Sequence, residues 1–249
     1  MSENAIEIRG LEMHFGGVKA LGGVDMQIPR GQVTAIIGDN GAGKSTLIKC
    51  LSGIYDPTHG EIFINDELVK LGSPIAARNH GIETVYQDLA VLDTLTVTEN
   101  LYLSREIRKG IWPFRLLNRK KMQQGAAEMM ERVGNTTIRL NNEIGYMSGG
   151  QRQAVAISRA VGWGAQVIIF DEPTAALGVK ESAEVAHLIE RLKSQGITVI
   201  IISHNFEEVL KLADLVWVMR HGRAIASRKA SEVTGRDLVA LLTGAEAAL

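Results

Sequence analysis

The chain holds a single cysteine, Cys50, so no internal disulfide can form. It falls on a stretch that reads as a helix, where a lone thiol behaves as a small buried apolar residue. A secretory leader is not expected, because Met1-Ser2-Glu3-Asn4-Ala5-Ile6-Glu7 offers neither a basic n-region nor an apolar h-region. No apolar run approaches the ~18 residues of a membrane span. A soluble, cytoplasmic protein is expected, and work at a membrane would require docking on other subunits. An excess of one charge is also lacking. Lys plus Arg number 27 against 28 Asp plus Glu, for a net charge of −1, which gives no global support for a nucleic-acid surface. Internal repeats, low-complexity tracts and a second phosphate loop are absent. The 249 residues can bury one large core, or a core with a lobe.

What is present is organised around Gly38-Asp39-Asn40-Gly41-Ala42-Gly43-Lys44-Ser45-Thr46, which fits the phosphate-loop pattern G-x-x-x-x-G-K-S/T. Val33-Thr34-Ala35-Ile36-Ile37 before it is a β-branched run that reads as a buried strand. Ser45 to Leu51 after it reads as a helix. Glycines let the backbone wrap so that its N–H groups point at a triphosphate, and the helix N-terminus adds donors and partial positive charge. Lys44 would reach the β- and γ-phosphates and Ser45 would hold Mg²⁺. A glycine-rich turn with a chance lysine is the competing reading, and the strand and helix flanks argue against it.

Along the chain, Ile6 to Arg9 and Val24 to Ile28 alternate as half-exposed antiparallel strands do. Phe15-Gly16-Gly17 between them puts an aromatic at a loop tip, locally more a packing residue than a base-stacking one. Glu61 to Asn65 and Asp66 to Val69 suggest a hairpin. Glu83 to Tyr86 reads as a strand ending at Gln87-Asp88. From about 88 to 164 helical patterns dominate, including Lys120 to Val133 and Gly150 to Val161, which marks a helical lobe inserted in the sheet. Arg105 to Lys121 holds seven basic residues with Trp112 and Phe114. A solvated helix or loop face is the first reading for it, a partner-docking surface the second, and nucleic acid the third.

Ser148-Gly149-Gly150-Gln151 reads as a capped helix start and a second anion site, or as an ordinary glycine-rich cap. Val167 to Glu172 is a short apolar strand ending in two acids. Asp171 suits support of Mg²⁺, and Glu172 suits orienting or deprotonating a water near the γ-phosphate. A turn before Pro173 is the bland alternative. Thr198 to His204 repeats the form, placing His204 at a strand's carboxyl end as a γ-phosphate contact. His14, His59, His80, His187 and His221 lack such a context and read as surface or packing residues. Lys180 to Gln195 is an amphipathic helix with Val185, Leu188, Ile189 and Leu192 on one face. Leu215 to Met219 and Arg223 to Ser227 form a closing strand pair, and a short helix covers Arg236 to Leu242.

The phosphate loop, Gln87, Ser148 to Gln151, Val167 to Glu172 and His204 occur in an order that resembles the nucleotide-binding subunit of ABC transporters over essentially the whole chain. The resemblance implies a phosphate-loop ABC ATPase of the α/β class, with a RecA-like mixed-sheet core, an antiparallel β layer and an inserted α-helical subdomain. Residues 1–87 and 165–249 would form the layer and core, and 88–164 the helical subdomain. It implies ATP and Mg²⁺ as ligands, Phe15 as the adenine-stacking aromatic against the local reading, and Gln87 as an Mg²⁺ contact linked to the membrane partner. Glu172 matches the catalytic base and His204 the switch histidine. Ser148 to Gln151 would close on the ATP of a second copy, giving a homodimer with shared sites. Permease subunits would be the membrane partners, a periplasmic sugar-binding protein an indirect one, and nucleic acid is not expected.

Glu172-Pro173-Thr174-Ala175-Ala176-Leu177 and Leu103-Ser104-Arg105-Glu106 with the basic loop are similar to bacterial monosaccharide importers of the ribose, xylose and fructose type. Branched-chain amino-acid importers, which also use single cassettes, are the nearest competitor. A soluble ABC-type ATPase acting on nucleic acid or ribosomes belongs to another class and would usually need a coiled coil or a second cassette. A GTPase or kinase switch is disfavoured by Ser148 to Gln151, the family's signature sequence, and by the lack of a guanine-specificity motif. The chain departs from the family at Met147 for a usual Leu, at Phe15 for a common Tyr, and at Ala175 and Gly178 where Ser and Asp are usual.

Overall fold

The computed structural model describes residues 3–86, 89–110, 116–175 and 177–245. The chain divides into two compact units. The first comprises Met1–Thr84, Ala165–Pro173 and Leu192–Leu249, and the second Val85–Gly164 and Thr174–Arg191. Thr174–Arg191 thus groups with the helical segment, whereas the sequence boundary at 164 left it in the core.

In the first unit β1 (Asn4–Phe15) and β2 (Val18–Pro29) pair antiparallel, and β4 (His59–Ile64) and β5 (Glu67–Val69) extend the sheet in the order β2-β1-β4-β5. Both long strands run well past the stretches that alternation marks. In β1 the cause is a register shift between Ile8 and Leu11, which spans Gly10 at φ 56°, and in β2 a second shift between Val24 and Gly22, which spans Gly23 at φ 90°. Each bulge changes the phase of its strand's side chains, so a strict period of two stops before the strand does. β4 and β5 turn at Asn65 and Asp66, whose φ values of 54° and 68° suit a two-residue hairpin.

The second sheet has the order β12-β11-β3-β10-β9-β6. Its strands are β3 (Val33–Gly38), β6 (Ile82–Val85), β9 (Val167–Asp171), β10 (Thr198–Ile202), β11 (Leu215–Arg220) and β12 (Arg223–Lys229). β11, β3, β10 and β9 run parallel, and β12 returns antiparallel. Val33 to Ile37, Val167 to Phe170 and all of β10 are buried, as continuous apolar runs require of strands covered on both faces. Helices of this unit are α1 (Lys44–Leu51), α2 (Pro74–Asn79), α7 (Phe206–Leu212) and α8 (Gly235–Thr243). One core cluster joins Leu47, Ile48, Cys50 and Leu51 of α1 to Ile6, Ile28, Ile36 and Ile169. Burial pushes the Cys50 thiol up to about 11, which leaves it inert at neutral pH. A second cluster joins Ala35, Ile37, Val216 and Val218 to Val209, Leu238 and Leu241.

The second unit holds α3 (Val97–Leu101), α4 (Arg119–Arg132), α5 (Gly149–Gly162) and most of α6 (Val179–Ser194). Its core gathers Val97, Leu101, Met122, Ala126, Met130, Ile144 and Val155. Buried Asn100 holds the preceding loop, accepting from Leu92 N and donating to the Leu92, Leu95 and Thr96 carbonyls. Among the described residues of the basic stretch, β7 (Arg108–Lys109) and β8 (Leu116–Leu117) pair antiparallel. Strands of two residues carry no periodic signal, which is why the sequence does not announce them. Trp112, Phe114 and Gln87 lie outside the described residues.

Candidate nucleotide site

Parallel register sets one edge of the site. Ile202 pairs with Ile36 and with Asp171, so the carboxyl ends of β3, β10 and β9 stand side by side. Ligands of open α/β sheets bind outside such ends. β3 runs out at Gly38, and the chain loops through Gly41 and Gly43 into α1. Gly43 caps that helix at φ 99°, and a Cβ there would stand 2.9 Å from the Ala20 carbonyl and 3.0 Å from Leu21. At Gly38 a Cβ would stand 2.5 Å from the Met219 carbonyl. Backbone conformation demands glycine at the first position, and close approach of β11 demands it at the second. The loop is pinned from outside by Gly222 N donating to Ala42 O at 3.0 Å, and Gly22 N donating to Gly222 O at 2.8 Å.

The loop lines a cleft of about 590 Å³ together with Phe15, Asp171, Glu172 and Ile202, within the range of small-molecule sites. Lys44 Nζ donates to the Gly38 and Asp39 carbonyls at 2.6 and 3.0 Å, so its charge spans the loop. Burial lowers the Lys44 pKa, while the carboxylates of Glu172, Asp39 and Asp171 oppose that shift. The Asp171 carboxyl is raised by burial and by the Glu172 charge, and Lys44 and Lys49 counter this. A half-buried acid held up in this way gains from a cation beside it. Among the described residues no group of three or more His, Cys, Asp or Glu could hold a metal. Ser45 and Asp171 do line the cleft, and this sparse oxygen set fits Mg²⁺ bound largely through substrate phosphates rather than in a protein cage.

Glu172 follows β9 at φ 52°, a backbone region that bulky residues seldom adopt. Its N–H donates to Ile202 O at 2.9 Å, which fixes it across from β10. Its Oε1 lies 3.1 Å from His204 Nδ1. His204 is held from its carboxyl side. Asn205 N donates to Ser203 Oγ, and the Asn205 carboxamide oxygen accepts from Glu207 N and Glu208 N at the start of α7. The carboxylate of Glu172 lines the cleft, and the His204 imidazole joins it through this contact without lining the cleft itself.

Phe15 lies between the two readings of it. It is 42% exposed and lines the cleft, with its ring edge-to-face on Tyr55 at 5.2 Å between centroids. His221 departs from its expectation. Its sequence context marks it as surface or packing, yet it lines the cleft beside Gly222, Val18, Lys19 and Ala20. The β11–β12 turn that carries it hydrogen-bonds the phosphate loop, a proximity of residues far apart in sequence that no local pattern displays. The start of β2 was missed for the same reason.

In the second unit Ser148 caps α5. Gln151 N donates to its hydroxyl, and Ser148 N donates to the Gln151 side chain. A Cβ at Gly149 would stand 2.8 Å from the Leu177 side chain. Arg152 donates to the Met147 and Gly145 carbonyls, fixing the approach to the cap. Tyr146, two residues before it, is 88% exposed.

Residues 21–175 match the family model described as ABC transporter. The chain is 43% identical over 249 residues to the fructose import ATP-binding protein of Rhizobium meliloti, covering 98% of this chain and 95% of that one. It is 42% identical over 238 residues to the xylose/arabinose import ATP-binding protein of Sulfolobus acidocaldarius, covering 96% and 93%. A ribose import ATP-binding protein of Rhizobium meliloti strain 1021 is 39% identical over 98% of this chain, which spans 47% of that longer protein. Among solved structures, the cassette MJ1267 in its ADP conformation superposes with a TM-score of 0.81 at 27% identity, covering 98% of this chain and 100% of that one.

Proposed function

Because this chain belongs to the ABC transporter family as an ATP-hydrolysing cassette, we propose that it energises import of a monosaccharide. The observation that carries the sugar assignment is identity above 40% to fructose and xylose/arabinose import proteins, over nearly the full length of both partners.

In this reading Phe15 stacks on adenine, the amides of Asp39 to Thr46 and the Lys44 ammonium take the phosphates, and Ser45 and Asp171 hold Mg²⁺, with Gln87 as a further contact. The metal, when bound, neutralises charge on the phosphate oxygens. Glu172 accepts the proton of the water whose oxygen attacks the γ-phosphorus as the bond to ADP breaks. His204, hydrogen-bonded to Glu172, orients that carboxylate and contacts the γ-phosphate.

One chain supplies one phosphate loop and one capped α5. A two-fold pair of copies is self-complementary, so Ser148 to Gln151 of each copy would close on the ATP of the other. Closure would pass through the second unit to permease subunits at the inner face of the cell membrane, with a periplasmic sugar-binding protein delivering cargo. Among the described residues no helix is long and apolar enough to cross a membrane, which leaves the crossing to those partners. The test is uptake of a panel of labelled monosaccharides in cells with and without this chain. Loss of one sugar's uptake is expected. Loss of branched-chain amino-acid uptake alone, or recovery of the chain on ribosomes or DNA, would overturn the assignment.

A further inference from the structure

We propose that the paired strands β7 and β8 of the second unit, with the basic start of α4, are a docking surface for anionic lipid headgroups. β7 and β8 pair Arg108 with Leu117 and Lys109 with Leu116. Cross-strand partners share a face, so each face of the ribbon sets one cation beside one leucine. Leu116 is 69% exposed and Leu117 40%, and neither joins the apolar core of its unit.

Asn118 then caps α4, whose first residues Arg119, Lys120 and Lys121 are all exposed. No acid stands in that first turn. Cations there oppose the helix dipole, so they do not serve the helix they open. Among the described residues between 105 and 121, Glu106 is the sole acid. It lies 3.9 Å from Arg108. Arg105 is engaged elsewhere, stacked on Trp163 at 4.7 Å. Arg119 faces the Glu99 carboxylate of α3. Lys109, Lys120 and Lys121 make no ion pair among the described residues.

Exposed leucines paired across the strands with exposed cations match a lipid interface in both chemistries. Phosphate headgroups take the ammonium and guanidinium groups, and the acyl boundary takes the leucines. Nucleic acid would answer only the charges, and the chain as a whole carries a net −1. The inference does not depend on which cargo is carried.

The full chain is sedimented with vesicles of pure phosphatidylcholine and with an equimolar mixture of phosphatidylcholine and phosphatidylglycerol. Binding is expected to the mixed vesicles only, and added salt should weaken it. The variant Lys109→Ser/Lys120→Ser/Lys121→Ser should bind them ~100-fold more weakly, at about fivefold per charge removed. Leu116→Ser/Leu117→Ser should also weaken binding, while leaving its salt dependence in place. Both variants should keep wild-type ATP affinity and unfolding temperature, which separates lost docking from lost folding. Equal binding to neutral vesicles overturns the proposal. So does unchanged binding of the lysine variant, or retention only on membranes that carry the permease. Absent vesicle binding with intact ATP binding removes the lipid surface and leaves the cassette reading standing.

Discussion

Replacing Glu172 by Gln isolates proton transfer from everything else the site does. The backbone of Glu172, at φ 52° with its N–H on Ile202 O, places either side chain in the same position. The two side chains are nearly isosteric, and the carboxamide can still hydrogen-bond His204, now 3.1 Å from Oε1. What is lost is the capacity to take the proton of the attacking water. General-base catalysis contributes ~10²–10⁴-fold, which is roughly 2.7–5.5 kcal/mol of barrier. Lys44 and the loop amides remain, so ATP affinity should stay within a few-fold of wild type. Phosphate release measured under saturating Mg-ATP, beside a nucleotide titration, gives both numbers. Sizing of the variant with Mg-ATP should also show a trapped pair of copies, since uncleaved ATP is the proposed link between them. A variant that turns over normally would refute Glu172 as base. One that loses ATP binding would show that its charge serves the ground state. Slow turnover without pairing would leave the base in place and remove the shared-site dimer.

Lys44→Ala should weaken ATP binding by about 1.5–3 kcal/mol or more, roughly 10–150-fold, as a lost charge-assisted contact; isothermal titration reads it. Phe15→Ala should cost about 0.5–1.5 kcal/mol of ATP affinity with reduced base discrimination, whereas unchanged affinity with a lowered unfolding temperature would make it a packing residue against Tyr55. Asp171→Asn should raise the unfolding temperature of the nucleotide-free protein at neutral pH. The folded pKa of Asp171 is raised by burial and by Glu172, so its favourable contribution exists below the unfolded pKa and is lost as pH rises through the folded value. The gain over wild type should therefore shrink on acidification, and a pH series of melting curves decides it. Gly43→Ala, forced to φ 99° against the Ala20 carbonyl, should destabilise by roughly 1–3 kcal/mol, seen as a lower denaturation midpoint.

Much of the molecule was legible because its signals are local. Periodicity located α4, α5, α6 and the buried parallel strands, and Ser148 was readable as a cap from its own neighbours. β1 and β2 were cut short because bulges at Gly10 and at Gly23 break their alternation. The β7–β8 pair was invisible because two residues cannot display a period. His221 escaped because its place depends on the hydrogen bond from Gly222 N to Ala42 O, which joins segments distant in sequence. Phe15 was ambiguous for a physical reason: its ring meets Tyr55 and the cleft at once, and a local pattern cannot weigh one against the other.

Coupling of ATP hydrolysis to a sugar is tested most directly in the assembled transporter. This chain should be reconstituted in vesicles with its permease and binding protein, and ATP hydrolysis followed while monosaccharides are supplied one at a time. One monosaccharide should stimulate hydrolysis and accumulate inside, and Lys44→Ala should abolish both. Stimulation by branched-chain amino acids instead, or hydrolysis indifferent to every sugar while the permease is bound, would contradict it.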